Sequence, residues 1–151
     1  MKRERALEAL LAHKVIAVIR LPDAARIFDV IEALKKGGVK LLEITMTVPG
    51  ALDIIQKLAV SKPDGVLIGA GTVLDADTAA AAIWSGADFV VSPIADPGMI
   101  AACRTHDTLV VPGSAMGEMT KSAPARKSGV YGNRVDLGGS RSLKKKRAAG
   151  G

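Results

Sequence analysis

Six polar side chains stand where an apolar run of this sequence gives way to a loop. They are Arg20, Glu43, Thr45, Thr47, Thr72 and Ser92. Glu43 is the one with the most chemistry in it. It sits inside Leu41-Leu42-Glu43-Ile44, a run with apolar residues on both faces, as in a strand covered on both sides. A carboxylate there is costly to bury unless something polar receives it. That makes Glu43 the first catalytic candidate in the sequence. Arg20 offers a competing explanation, since a strand-end ion pair would satisfy Glu43 structurally. Gly69-Ala70-Gly71-Thr72 is open to two readings: a phosphate cradle, or a strand-to-helix turn that needs small residues. His13, His106 and Cys103 are scattered, Cys103 on an apolar helical face, so neither a metal constellation nor a cofactor is expected.

The elements that must position these residues follow one rhythm. Apolar strands centre near positions 17, 43, 67, 91 and 110, and amphipathic helical segments separate them. A short leading helix is predicted over 4–13. Asp23 is a candidate N-cap for the next helix, which Gly37-Gly38 ends. Pro49 is placed to open the helix carrying Leu52, Ile55 and Leu58. An Ala-rich helix runs from Asp77 to Trp84, and Pro97 starts another through Met99, Ile100 and Cys103. Strands alternating with helices need right-handed crossovers and give a parallel sheet, either a barrel or a doubly wound one. The polar residues fall at strand C-terminal ends, where βα barrels place their chemistry.

Composition divides the chain. Residues 1–119 hold 12 Lys/Arg and 14 Asp/Glu, whereas residues 120–151 hold 9 Lys/Arg and only Asp136, so the net charge of +6 arises from −2 and +8. The tail's only large aliphatics are Val130, Val135, Leu137 and Leu143, too few to offset ordering entropy over thirty-odd residues. Residues 1–115 are therefore expected to form the folded part and 116–151 a poorly ordered basic tail. Lys144-Lys145-Lys146 has no neighbouring aromatics, so a solvated tail rather than a nucleic-acid contact is expected. No apolar run is long enough for a membrane span, and the N-terminus lacks a signal peptide's pattern. With one cysteine, a reducing cytoplasm is the expected setting.

Taken together, Val15–Arg20 (VIAVIR), Gly37–Gly50 (GGVKLLEITMTVPG), Ile68–Leu74 (IGAGTVL), Ser85–Pro93 (SGADFVVSP) and Val110–Gly113 (VVPG) resemble the 2-keto-3-deoxy-6-phosphogluconate (KDPG) aldolase family, which includes 4-hydroxy-2-oxoglutarate (KHG) aldolases. The resemblance implies a (β/α)8 barrel, here incomplete with five βα strands, and association as a homotrimer. It implies a small 2-keto acid substrate, cleaved to pyruvate and an aldehyde, glyceraldehyde 3-phosphate or glyoxylate, through a lysine Schiff base. Glu43 would be the general acid/base. Arg20 and Thr72 would hold the pyruvate carboxylate, Thr47 would contact substrate where many members carry Arg, and Pro93 would shape the pocket wall. The pattern departs further on. Asp136–Lys144 resembles the segment after the family's Schiff-base lysine, and counting back puts Tyr131 at the lysine position. No Lys-x-Phe-Pro occurs, and Lys121, Lys127 and Lys144 lie in no apolar strand that could desolvate them. A shifted reading frame over 116–135, and hence a catalytically dead remnant, is the rival expectation.

Overall fold

The computed structural model describes residues 1–113. The predicted tail, with Tyr131, Lys121, Lys127 and Lys144, lies outside the described residues. Helix α1 (Lys2–His13) leads into β1 (Ile16–Ile19), α2 (Ala24–Lys36), β2 (Leu41–Thr45), α3 (Ala51–Ser61), β3 (Leu67–Gly71), α4 (Ala76–Trp84), β4 (Phe89–Ser92), α5 (Pro97–Thr105) and β5 (Leu109–Pro112). The strands are all parallel and lie in chain order β1-β2-β3-β4-β5. A doubly wound sheet reverses its strand order partway and puts helices on both faces. Here the order never reverses among the described residues, which decides the alternative left open by periodicity in favour of part of a βα barrel.

The two faces of the sheet are chemically distinct. Leu42, Ile44, Ile68, Ala70 and Val90 face the helices, packing in one buried cluster with Ile27 and Ile31 of α2, Ile54, Ile55 and Leu58 of α3, Ala82 of α4, and Met99 and Cys103 of α5. The opposite, inward face carries Leu41, Leu67 and Phe89 near the strand N-termini, and Ala6 of α1 is buried against them. Helix α1 therefore closes the end where the strands begin. Alternation of period two then places Glu43 and Thr45 of β2 and Gly69 and Gly71 of β3 on the inward face.

Local signals account for most element ends. Asp23 accepts from the Ala25 N–H at 2.9 Å, as the capping pattern predicts, and the chain turns out of α2 through Gly38 at φ 85. Pro49 does not open α3: Gly50, in a left-handed conformation, is the N-cap and Ala51 the first helical residue. The turn after β2 takes up Pro49, with Val48 N–H bonded back to Thr45 O at 3.0 Å. Before α5 the Asp96 carboxylate accepts from Met99 N–H at 2.7 Å, and Pro97 needs no partner in the first turn. Asp96→Ala is expected to cost about 1 kcal/mol. Urea unfolding checks this, and an unchanged midpoint would show that the cap contributes nothing.

Candidate active site

Glu43 lies in the middle of β2, in register with Val18 of β1 and Gly69 of β3. All five residues of β2 are buried, and Glu43 itself is only 6% exposed. Burial pushes its carboxyl above the ordinary 4.5, and the positive charge of Arg20 pulls the other way. Among the described residues no ion pair joins the two: Arg20 is exposed just past β1 and acts on Glu43 through its field. The structural explanation for Glu43, a strand-end salt bridge, thus loses its main support. What is left is a carboxyl on the inward face with raised proton affinity, the state a general acid/base needs.

The other sequence-predicted residues gather at the same end of the sheet. Thr45, fully buried, shares a 2.8 Å hydrogen bond between its Oγ1 and that of Thr47, which anchors the exposed Thr47 side chain over the end of β2. Thr72 follows β3 directly, half-buried, with φ at 58. A β-branched residue in the left-handed region costs about 1–2 kcal/mol, and such strain clusters at functional sites. The strain aims Thr72 from the end of β3 while Val73 N–H bonds to Val91 O across to β4 at 3.2 Å. Pro93 is exposed just past β4. Gly113 packs against it so closely that a Cβ there would lie 2.7 Å from the Pro93 carbonyl oxygen. Ser92 is buried, its hydroxyl accepting from Ile94 N–H at 3.2 Å, so it braces the loop rather than facing a ligand.

Sequence reasoning passed over two features. One is the glycine pair of β3, treated as turn-forming: Gly69 and Gly71 are strand residues two apart, hence on one face. Their spacing was the available signal. The other is Asp88, whose Oδ2 accepts from Ile68 N–H at 2.8 Å and from Lys62 Nζ at the far end of the sheet. A groove of about 380 Å³ lined by Met1, Lys2, Arg5, Leu67 and Asp88 also lies at that far end, away from Glu43. His106 is exposed and stands edge-on to Trp84 with ring centroids 6.2 Å apart. Cys103 is buried in the core, as its helical position predicts. Among the described residues no group of three or more His, Cys, Asp or Glu could hold a metal ion, and no helix is long and apolar enough to cross a membrane.

A singly wound parallel sheet with Glu43 on its inward face and Arg20, Thr47, Thr72 and Pro93 past its strand C-termini is part of a barrel-type α/β fold. Residues 7–123 match the family model for KDPG and KHG aldolase. The chain belongs to that aldolase family, whose members are carbon–carbon lyases. It is 37% identical over 110 residues to a 2-dehydro-3-deoxy-phosphogluconate aldolase of Haemophilus influenzae, covering 73% of this chain and 51% of that protein. It is 36% identical over 102 residues to the Pseudomonas aeruginosa protein of the same description, covering 68% and 46%. The solved KDPG aldolase of Zymomonas mobilis ZM4 with 3-phosphoglycerate superposes with TM-score 0.66 at 30% identity, over 76% of this chain and 54% of that one. The Legionella pneumophila KDPG aldolase, with pyruvate captured as a covalent carbinolamine, gives 0.65 at 32%, over 71% and 52%. The chain thus spans about half the length of the relatives it matches.

Proposed function

We propose that the described residues form the acid–base and carboxylate-binding side of a class I aldolase site that releases pyruvate from a short 2-keto acid, KDPG or KHG. The observation that carries this reading is Glu43: a buried inward-facing carboxyl whose proton affinity burial raises. In a Schiff-base mechanism a group of that kind moves protons on and off the carbinolamine oxygen, then takes the proton of the hydroxyl whose carbon departs as the aldehyde and returns one to the enamine carbon. Arg20, past the end of β1, supplies charge-assisted hydrogen bonds to the keto-acid carboxylate, and the Thr72 hydroxyl supplies another. Thr47 contacts the aldehyde portion, and Pro93 closes the wall. The reading includes a reducing, cytoplasmic setting, with Cys103 a free buried thiol, and self-association as a homotrimer, for which Trp84 (77% exposed) and Val60 (86% exposed) are available apolar contacts.

The position of the family's Schiff-base lysine falls beyond residue 113, at Tyr131, so a Schiff base here would have to form on another lysine. Borohydride reduction in the presence of pyruvate tests the reading directly. A reduced pyruvate adduct on a lysine, mapped by peptide mass spectrometry and diminished in Arg20→Ala, is the expected result. No adduct on any lysine at saturating pyruvate would overturn it and leave a non-catalytic relative.

A further inference from the structure

We propose that Gly71 is a positioning residue: the missing side chain on the inward face of β3 forms the slot in which the Glu43 carboxyl lies, and this slot holds that carboxyl away from water. The proposal deepens the aldolase reading and rests on it for its catalytic meaning, but its geometry stands alone. A Cβ built on Gly71 would lie 1.8 Å from Glu43 Oε1, 2.5 Å from Cδ and 2.8 Å from Cγ. The carboxylic end of Glu43 thus occupies the volume that any other residue at 71 would fill. Gly71 pairs with Thr45 on β2, two residues beyond Glu43, so Glu43 reaches diagonally along the inward face toward the strand C-termini. That diagonal carries the carboxyl toward the end where Arg20, Thr47 and Thr72 stand.

The neighbouring glycine does a separate job. A Cβ on Gly69, directly opposite Glu43 in register, would meet the Phe89 ring at 2.2 Å, so the empty position at 69 belongs to Phe89 and the one at 71 to Glu43. Neither glycine has a left-handed φ, so neither is required by backbone conformation. Space, not flexibility, explains the pair.

With the slot filled, the Glu43 carboxyl must leave it. On its other side stands β1, where the facing residue Val18 is 48% exposed and the chain continues into Arg20. A side chain displaced that way gains water and approaches a cation, and both favour the ionised carboxyl. Gly71 thereby governs both where the proton-transfer group sits and at what pH it holds its proton.

Carboxyl 13C chemical shifts of the full chain, labelled at Glu and assigned through Glu43→Gln, read this without any need for turnover. In the native chain the Glu43 titration midpoint is expected above the ordinary carboxylate value. In Gly71→Ala it is expected to fall back toward that value. In Gly69→Ala, which crowds Phe89 instead, it should stay where it was despite lower stability. An unshifted midpoint in folded Gly71→Ala, or an equal shift in Gly69→Ala, overturns the proposal. Should Gly71→Ala fail to fold, combining it with Glu43→Ala decides the matter: recovery of folding supports the slot, and continued failure overturns it. Failure of pyruvate trapping, by contrast, would remove the aldolase reading and leave these titrations unaffected.

Discussion

Glu43→Gln is expected to unfold at a higher temperature than the native chain at pH 8, by about 4 °C, and to exchange the methyl protons of pyruvate with solvent deuterium 10²- to 10⁴-fold more slowly, on the order expected for a lost general base. The two effects share one cause. Burial raises the folded-state pKa of Glu43 above its unfolded value. A group of that kind contributes stability that is fully present below the unfolded carboxylate pKa and lost as pH rises through the folded one. Above its folded value the native chain therefore keeps an ionised carboxyl in a site that favours the neutral acid. Gln resembles the neutral acid at every pH. The stability difference should accordingly be small at pH 4 and open as pH rises, as calorimetric scans across that range would reveal. Superimposed midpoints at both ends would sink the claim that Glu43 is strained when ionised. The exchange arm depends on a working Schiff base; the stability arm does not.

The sequence made Glu43 legible because a lone charge in an apolar run contradicts its surroundings, and such contradictions mark function. The five strands were legible for the opposite reason: their apolar pattern agrees with the βα rhythm, and their centres lie within two residues of where periodicity puts them, β3 running on through Gly71. The choice between barrel and doubly wound sheet was not legible from periodicity. It depends on which strands are neighbours, a long-range property that no local pattern encodes, and the family resemblance supplied it. Arg20 was legible as a strand-end cation, but its lack of an ion pair with Glu43 depends on side-chain direction. Pro49 misled because proline suits a first helical turn, whereas Gly50 in the left-handed conformation takes the cap and shifts the helix start past it. Gly71 escaped because a glycine beside Thr72 suggests a turn. Only the tertiary register of β2 against β3 reveals that its absent side chain makes room for another residue's carboxyl.

Asp88→Ala is expected to cost about 3 kcal/mol of folding free energy. The Asp88 carboxylate, 14% exposed, accepts from Ile68 N–H at 2.8 Å and from Lys62 Nζ, while its own N–H donates to Ile68 O at 2.6 Å. Next to it, Lys2 Nζ donates to Ala87 O and Lys2 N–H to Asp107 Oδ2, both at 2.8 Å, fastening α1 across the same end. Burial lowers the Lys2 pKa, and the Asp88 charge offsets part of that. Alanine at 88 would leave a strand N–H and a partly buried ammonium without their acceptor, and would weaken the field that keeps Lys2 charged. Asp88→Asn retains a carbonyl oxygen for Ile68 N–H and should cost about half as much. Lys62→Met combined with Asp88→Ala should cost less than the two separately, by roughly 1 kcal/mol, because the orphaned ammonium is gone. Urea denaturation of the native chain, the three single variants and the double variant measures all of this; a loss below about 1 kcal/mol for Asp88→Ala would show the clasp to be a surface contact of ordinary worth. The Glu43 titration supplies the decisive contrast. Asp88 anchors the beginning of β3 and β4, and Glu43 works toward the other end of the same sheet, so Asp88→Asn should lower stability and leave the Glu43 midpoint in place. A barrel that separates stability at one end from chemistry at the other requires that outcome.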